Sequence, residues 1–145
     1  MKLYDYEKKH IDELRSLLPE CTVLLKQDGT FPIDSPCEIA LYGEGARHTI
    51  KGGTGSGEVN SRYFVTIEQG LKNAGFTITT DSWLNEYDKI LDKAHKEFIK
   101  EIKKRAHKKH TFALLEGMGA VMPEPEYELP LEASGDIAVY VLARI

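Results

Sequence analysis

Glu38-Ile39-Ala40-Leu41-Tyr42-Gly43 is a compact apolar run that stops at a glycine. A parallel strand covered by helices on both faces reads this way, unbroken by polar residues, and a loop opens at its carboxyl end. Downstream, Thr66 and Gln69 stand at capping-box spacing, Ile67, Leu71 and Ala74 share one helical face, and Gly75 suits a left-handed cap. Phe76-Thr77-Ile78-Thr79-Thr80 then alternates and is β-branched, as a strand should be. Strand, helix and strand make a βαβ unit with a right-handed crossover, so the sheet is at least partly parallel.

Working outward, Ile11, Leu14 and Leu18 recur at helical spacing between Asp5 and Leu18, and Pro19 ends the pattern. Thr22-Val23-Leu24-Leu25-Lys26 predicts a short strand or extended arm, closed by the turn Gln27-Asp28-Gly29. Asp81 or Ser82 can cap a long helix that carries Leu84, Tyr87, Leu91, Ala94, Phe98 and Ile102 on a face expected to pack on the sheet. The stretch from Gly117 to Pro125, with the prolines up to Pro130, predicts a crossing loop. Asp136-Ile137-Ala138-Val139-Tyr140-Val141-Leu142-Ala143 is the most strand-like segment and is expected at the sheet centre, close to the last residue, Ile145. The expectation is a single domain over 1–145, with a helix and extended arm over 1–34 and the sheet and helices over 35–145. Its class is α/β: a flavodoxin-like three-layer sandwich with a mainly parallel sheet and helices on both faces, truncated within or just after a central strand.

At 145 residues, 41% apolar and 29% charged, the chain has the makings of one globular domain. A net charge of −4 offers nucleic acid no overall attraction, although Lys93 to Lys109 is locally basic. No stretch supplies the ~18 apolar residues of a membrane helix, so no membrane partner is expected. Cys21 and Cys37 are too few for a disulfide framework, and Met1 to Asp5 opens no apolar leader; both features predict a cytoplasmic protein.

The chemistry concentrates between Gly43 and Asn60. Arg47, His48, Lys51, Gly53, Thr54, Ser56 and Glu58 present donors and charges along a glycine-rich loop that can approach a ligand closely, and they are the candidate substrate-binding residues. A surface connection with many turns is the competing reading. A dinucleotide fingerprint fails because His48 stands at the third glycine position, and a phosphate loop fails because residues 55–58 lack the Lys-Ser/Thr pair. His107 and His110 lie among lysines that repel a divalent cation, so no metal site is assigned. Trp83 reads as a core residue rather than a sugar platform, and Pro123 to Glu128 as a rigid linker with exposed carboxylates.

These segments add up to a family pattern. Thr22-Val23-Leu24-Leu25-Lys26-Gln27-Asp28-Gly29-Thr30-Phe31-Pro32-Ile33 resembles the start of the sandwich domain in family 3 glycoside hydrolases, where V-L-L-K-N-x-G-x-L-P-L is usual. The resemblance continues through Ile39 to Gly43, Gly52 to Gly57 and the helix with Thr66 and Gln69, then resumes at Met122 to Pro125 and Ile137 to Arg144. Lys93 to His110 stands apart as an insert.

The family implies a retaining β-glucosidase-type enzyme without metal or organic cofactor. A barrel domain supplies an aspartate nucleophile, and the sandwich supplies the acid/base glutamate and part of the sugar pocket. The two carboxyl groups of such an enzyme stand only about 5 Å apart, so they meet across the domain interface. The barrel is absent here and the expected acid/base lies just past Ile145, so no catalytic residue is assigned and the chain alone is expected to be inactive. Its implied partners are the barrel of the same parent chain, in the order with the sandwich first, and a β-glucoside or oligosaccharide; self-association is left open. Arg47, Lys51 and Ser56 would bond sugar hydroxyls. The alternative is a non-catalytic nucleotide- or sugar-binding module that uses the Gly43 to Asn60 loop, and a purely structural interaction domain is a third reading.

Overall fold

The computed structural model describes residues 3–52, 57, 59, 61–132 and 134–143. The chain divides into two compact units, Met1–Pro36 with Asn60–Phe64, and Cys37–Val59 with Val65–Ile145.

In the first unit, α1 spans Asp5–Leu17 and the Glu7 carboxylate accepts the Tyr4 N–H at 2.8 Å, which satisfies one orphan donor of the first turn. A short 3-10 turn, Leu18–Cys21, takes over at Pro19. No residue of α1 is buried, and Leu14, Leu17 and Leu18 face solvent. Thr22 to Lys26 joins no sheet, so it is the extended arm, with Val23 and Leu25 exposed.

The second unit holds the core. Its strands are β1 Glu38–Tyr42, β2 Thr77–Ile78 and β3 Ile137–Tyr140, and its helices are α2 Ile67–Asn73, α3 Asp81–Lys108 and α4 Ala113–Gly117. The sheet is parallel throughout with order β2-β1-β3. The chain thus steps from β1 to one neighbour and returns across β1 to the other. Right-handed crossovers in opposite directions put α2 and α3 on opposite faces, which gives the three layers of an α/β sandwich.

The central strand is β1, not the carboxyl-terminal strand expected there. Ile39, Ala40, Leu41 and Tyr42 are all buried, as a strand flanked on both edges and both faces requires, whereas β3 alternates and exposes Ala138 and Tyr140, which an edge tolerates.

Helix α2 begins as its sequence predicts: the Thr66 hydroxyl accepts the Gln69 N–H at 3.1 Å, and Gly75 sits at φ 94° just past the end. Strand β2 is shorter than the Phe76 to Thr80 run. Thr77 and Thr79 donate to Cys37 and Ile39 carbonyls, and at the next rung a side chain replaces the backbone. The Thr80 hydroxyl accepts the Leu41 N–H at 2.8 Å and donates to the Leu41 carbonyl at 2.6 Å. Thr80 is also the N-cap of α3, in place of Asp81 or Ser82, and with its hydroxyl committed to Leu41 it makes no side-chain cap bond.

Trp83, Leu84, Tyr87 and Leu91 of α3 join β1 in the core. Farther along, buried Ile102 lies beside α4, where a Cβ on Gly117 would sit 3.7 Å from it. The apolar face therefore serves two partners rather than the sheet alone. A helix of 28 residues runs about 42 Å, while a five-residue strand covers roughly 17 Å, so the far half needs another cover. The stretch after α4 is no simple linker: Tyr127 and Leu129 pack on the core, and the Tyr42 hydroxyl donates to the Glu132 carbonyl.

Thr80→Val tests the hydroxyl bridge. It leaves both polar groups of fully buried Leu41 unpaired on that side, and should cost about 2–4 kcal/mol in urea unfolding. Thr80→Ser keeps both bonds and should lose only about 1 kcal/mol, for the missing methyl.

Candidate functional site at the carboxyl edge of the sheet

The order β2-β1-β3 makes the carboxyl ends of β1 and β3 the switch point, where open parallel sheets accept ligands. Glycines shape this edge. Gly43 leaves β1 at φ 92°, and a Cβ there would run into the Val141 carbonyl; a Cβ on Gly45 would come within 2.6 Å of Val141 Cγ1. Any side chain at these positions pushes the loop off the end of β3, so glycine is required for the close approach.

The loop is then pinned. A 3-10 turn spans Glu44–Ala46. The Thr49 hydroxyl donates to the Gly45 carbonyl at 2.6 Å and accepts the Ile67 N–H at 3.0 Å, which ties the loop to the start of α2. A hollow of about 250 Å³ remains between the loop and β3, lined by Gly45, Thr49, Ile50, Ile67, Val141, Leu142 and Ala143. A second cavity of about 240 Å³ opens beside the first turn of α3, lined by Tyr42, Thr79, Ser82, Trp83, Glu86 and Glu132 among others.

Arg47 anchors the loop from below. Its Nε donates to Glu68 at 2.9 Å, its Nη1 to Asn85 at 2.7 Å and Asp88 at 2.8 Å, and its Nη2 to Glu68 at 3.2 Å. His48 Nε2 lies 3.1 Å from the other Asp88 oxygen. Lys72 bridges Glu68 and Asp81 at 2.9 and 3.0 Å. One guanidinium thereby joins the loop to both α2 and α3, with the planar fork that suits carboxylates on two sides. Burial pushes the Glu68 carboxyl up, but the bonds from Arg47 and Lys72 outweigh it and hold its pKa at about 2.

Of the candidate binding residues, Arg47 and His48 are thus brought together in the anchor. The Lys51 ammonium donates to the Val59 carbonyl across the loop stem, where Gly52 and Gly57 pass too closely for a Cβ. Gly53, Thr54, Ser56 and Glu58 lie outside the described residues.

A carboxyl pair that sequence reading passes over sits behind the loop. Burial raises the Glu44 carboxyl above its usual range, and the neighbouring Glu124 charge adds to the rise against a smaller effect of His48. Glu124 in turn accepts the Tyr87 hydroxyl, so it is engaged rather than a free linker carboxylate. Burial first, then the bond to Glu124, lifts the Tyr87 phenol well above its ordinary value. The hydrogen bond to Tyr140 and then burial push Tyr127 up to about 12. Trp83 belongs to the same cluster and is a core residue: it stacks on Tyr87 with centroids 5.1 Å apart and meets Tyr42 edge-on at 5.1 Å. Among the described residues, no group of His, Cys, Asp and Glu is placed to hold a metal ion.

Residues 22–115 match the glycosyl hydrolase family 3 C-terminal domain. The chain belongs to this family. The matched range starts at Thr22, where the arm begins, runs through Lys93 to His110 and stops short of Met122. Among family members, beta-glucosidase A of Butyrivibrio fibrisolvens is 33% identical over 93 residues, which are 63% of this chain and 10% of that protein. The solved beta-glucosidase 3B of Thermotoga neapolitana, in complex with alpha-D-glucose, aligns with a TM-score of 0.51 and 32% identity over 61% of this chain and 12% of its own. The chain spans about a tenth of the length of these relatives.

The ion-pair cluster predicts an acid-sensitive fold. Glu68 titrates at about 2 in the fold against 4.5 without partners, so its contribution is complete above pH 4.5 and is lost as the pH falls toward 2. Unfolding free energy should drop by on the order of 2–3 kcal/mol more in the wild type than in Glu68→Gln over that window. Glu44 has the opposite sign, its raised carboxyl being disfavoured when ionised, and Glu44→Gln should stabilise the protein at pH 7 in the same assay.

Proposed function

We propose that this chain is the sandwich portion of a retaining β-glucosidase-type hydrolase, that its Gly43 to Asn60 loop forms part of the sugar-site rim, and that it is inactive alone. The carrying observation is the switch-point hollow between that loop and the end of β3, opened by Gly43 and Gly45 in a chain of this family. Such a rim supplies contacts to a sugar, while hydrolysis with retention needs two carboxyl groups about 5 Å apart on either side of the glycosidic bond. In this proposal the second carboxyl group comes from a barrel domain of the parent protein, and water is the second substrate.

Within this reading Arg47 and His48 position the loop rather than touch sugar, since their hydrogen-bonding groups are turned to Glu68, Asn85 and Asp88. The Lys51 ammonium donates to the Val59 carbonyl, so in this proposal Gly53, Thr54, Ser56 and Glu58 are the loop residues assigned to the ligand. A cytoplasmic site of action belongs to the same proposal, in keeping with two unpaired cysteines.

Hydrolysis of an aryl β-glucoside by this chain and by a longer product of the same reading frame decides the matter. The expected result is turnover by the longer protein only. Turnover by the 145-residue chain overturns the split site, and micromolar nucleotide binding by the chain alone would replace it with the binding-module reading.

A further inference from the structure

Helix α3 has a second face that the fold does not use. Between Lys89 and His107, one stripe on the side opposite the core is basic, Lys89, Lys93, Lys96, Lys100, Lys103 and Lys104, then His107 itself, with exposed Asp92 and Glu97 at its margins in the same groove. At 100° per residue these positions fall within an arc of about 100°, and Tyr87, Leu91, Phe98 and Ile102 lie across the helix from them. All seven basic residues are exposed. Lys89 pairs with Glu86 at 2.6 Å, and the other five lysines have no hydrogen bond or ion pair among the described residues.

Alternating charge is the ordinary pattern of a solvated helix face, because neighbouring lysines repel one another. Asp92 and Glu97 keep to the margins of this face, and along its middle the lysines follow one another without an intervening carboxylate, on a chain of net charge −4. We propose that this ridge is a binding surface for a linear acidic polysaccharide that carries one carboxylate per sugar ring.

Three features select this occupant. The ridge is straight and, from Lys89 to Lys104, about 23 Å long, which suits an extended chain lying along it. Its charges recur about every 5 Å, close to the length of one pyranose unit, whereas a DNA strand carries a charge per ~3.4 Å. Apart from His107 at its end, the ridge also holds no ring for base stacking, and it holds no arginine for bidentate phosphate contact. Lysines act as point charges on freely turning stems, and carboxylates spaced along a glycan need no more. The ridge shares no residue with the lining of the hollow beside the loop after β1, and in this proposal binding to the ridge is independent of hydrolysis.

Fluorescence anisotropy of the 145-residue chain with labelled oligogalacturonate tests the proposal. Saturable binding at about 20 mM salt should weaken about tenfold or more by about 200 mM salt. Lys93→Glu, Lys96→Glu and Lys100→Glu together should abolish it, and the three corresponding Gln changes should weaken it severalfold with unchanged circular dichroism. Absence of binding at low salt, or binding that survives the charge reversals, overturns the proposal. Tighter binding of a single-stranded oligonucleotide with the same number of charges overturns it in favour of a nucleic-acid surface.

Discussion

One hydroxyl group organises the second unit. Leu41 is fully buried at the centre of the sheet, and its N–H and carbonyl on the β2 side must be paired, because an orphaned buried polar group costs as much as several good contacts provide. A backbone rung would demand that β2 continue. The Thr80 hydroxyl, which can donate and accept at once, meets both demands from a single atom and frees the chain to turn directly into α3. The short strand, the absent side-chain cap and the early start of the long helix are thus one event. Trp83 and Tyr87 reach β1 because the helix begins there.

The fold was legible in proportion to how local its causes are. Strand β1 could be read from four apolar residues, Ile39 to Tyr42, and α2 from Thr66, Gln69 and Gly75, because burial, capping and left-handed geometry act within a few residues. Thr22 to Lys26 could be read as a short strand or an extended arm from its own residues, and its lack of a sheet partner decides for the arm. What stayed hidden is long-range. Nothing near Thr80 announces a bond to a residue 39 positions away, and α4 is too short for periodicity to declare it. The carboxyl-terminal strand is apolar enough for a central place, yet its position follows from which neighbour the crossover reaches, and no run of side chains states that.

The candidate site divides the same way. Glycine enrichment reads as a loop that can come close to a ligand, and in the fold Gly43 and Gly45 come close to Val141 while Gly52 comes close to Gly57. Side-chain roles were less visible. Arg47 reads as a ligand-facing cation in a glycine-rich loop, but its partners come from 21, 38 and 41 residues downstream, and only the assembled α2 and α3 show that its donors are committed. The Glu44 and Glu124 pair escaped for the same reason, its members standing 80 positions apart.

The commitment of Arg47 changes what the loop can be. A glycine-rich segment with no anchor samples many shapes and must be ordered by its ligand, which weakens binding by the entropy of ordering. Here the root of the loop, from Gly43 to Thr49, is held by backbone packing against Val141, by the Thr49 hydroxyl and by a partly buried ion-pair cluster. Order is therefore built in before any ligand arrives, and it is supplied by α2 and α3 rather than by the sheet alone. Loss of the Arg47 charge would act on the loop without touching the ligand, because Asp88 and Glu68, both partly buried, would lose the cation that joins them, and Glu68 would keep only Lys72. The glycines allow the loop its path along β3, and the arginine decides that it stays there.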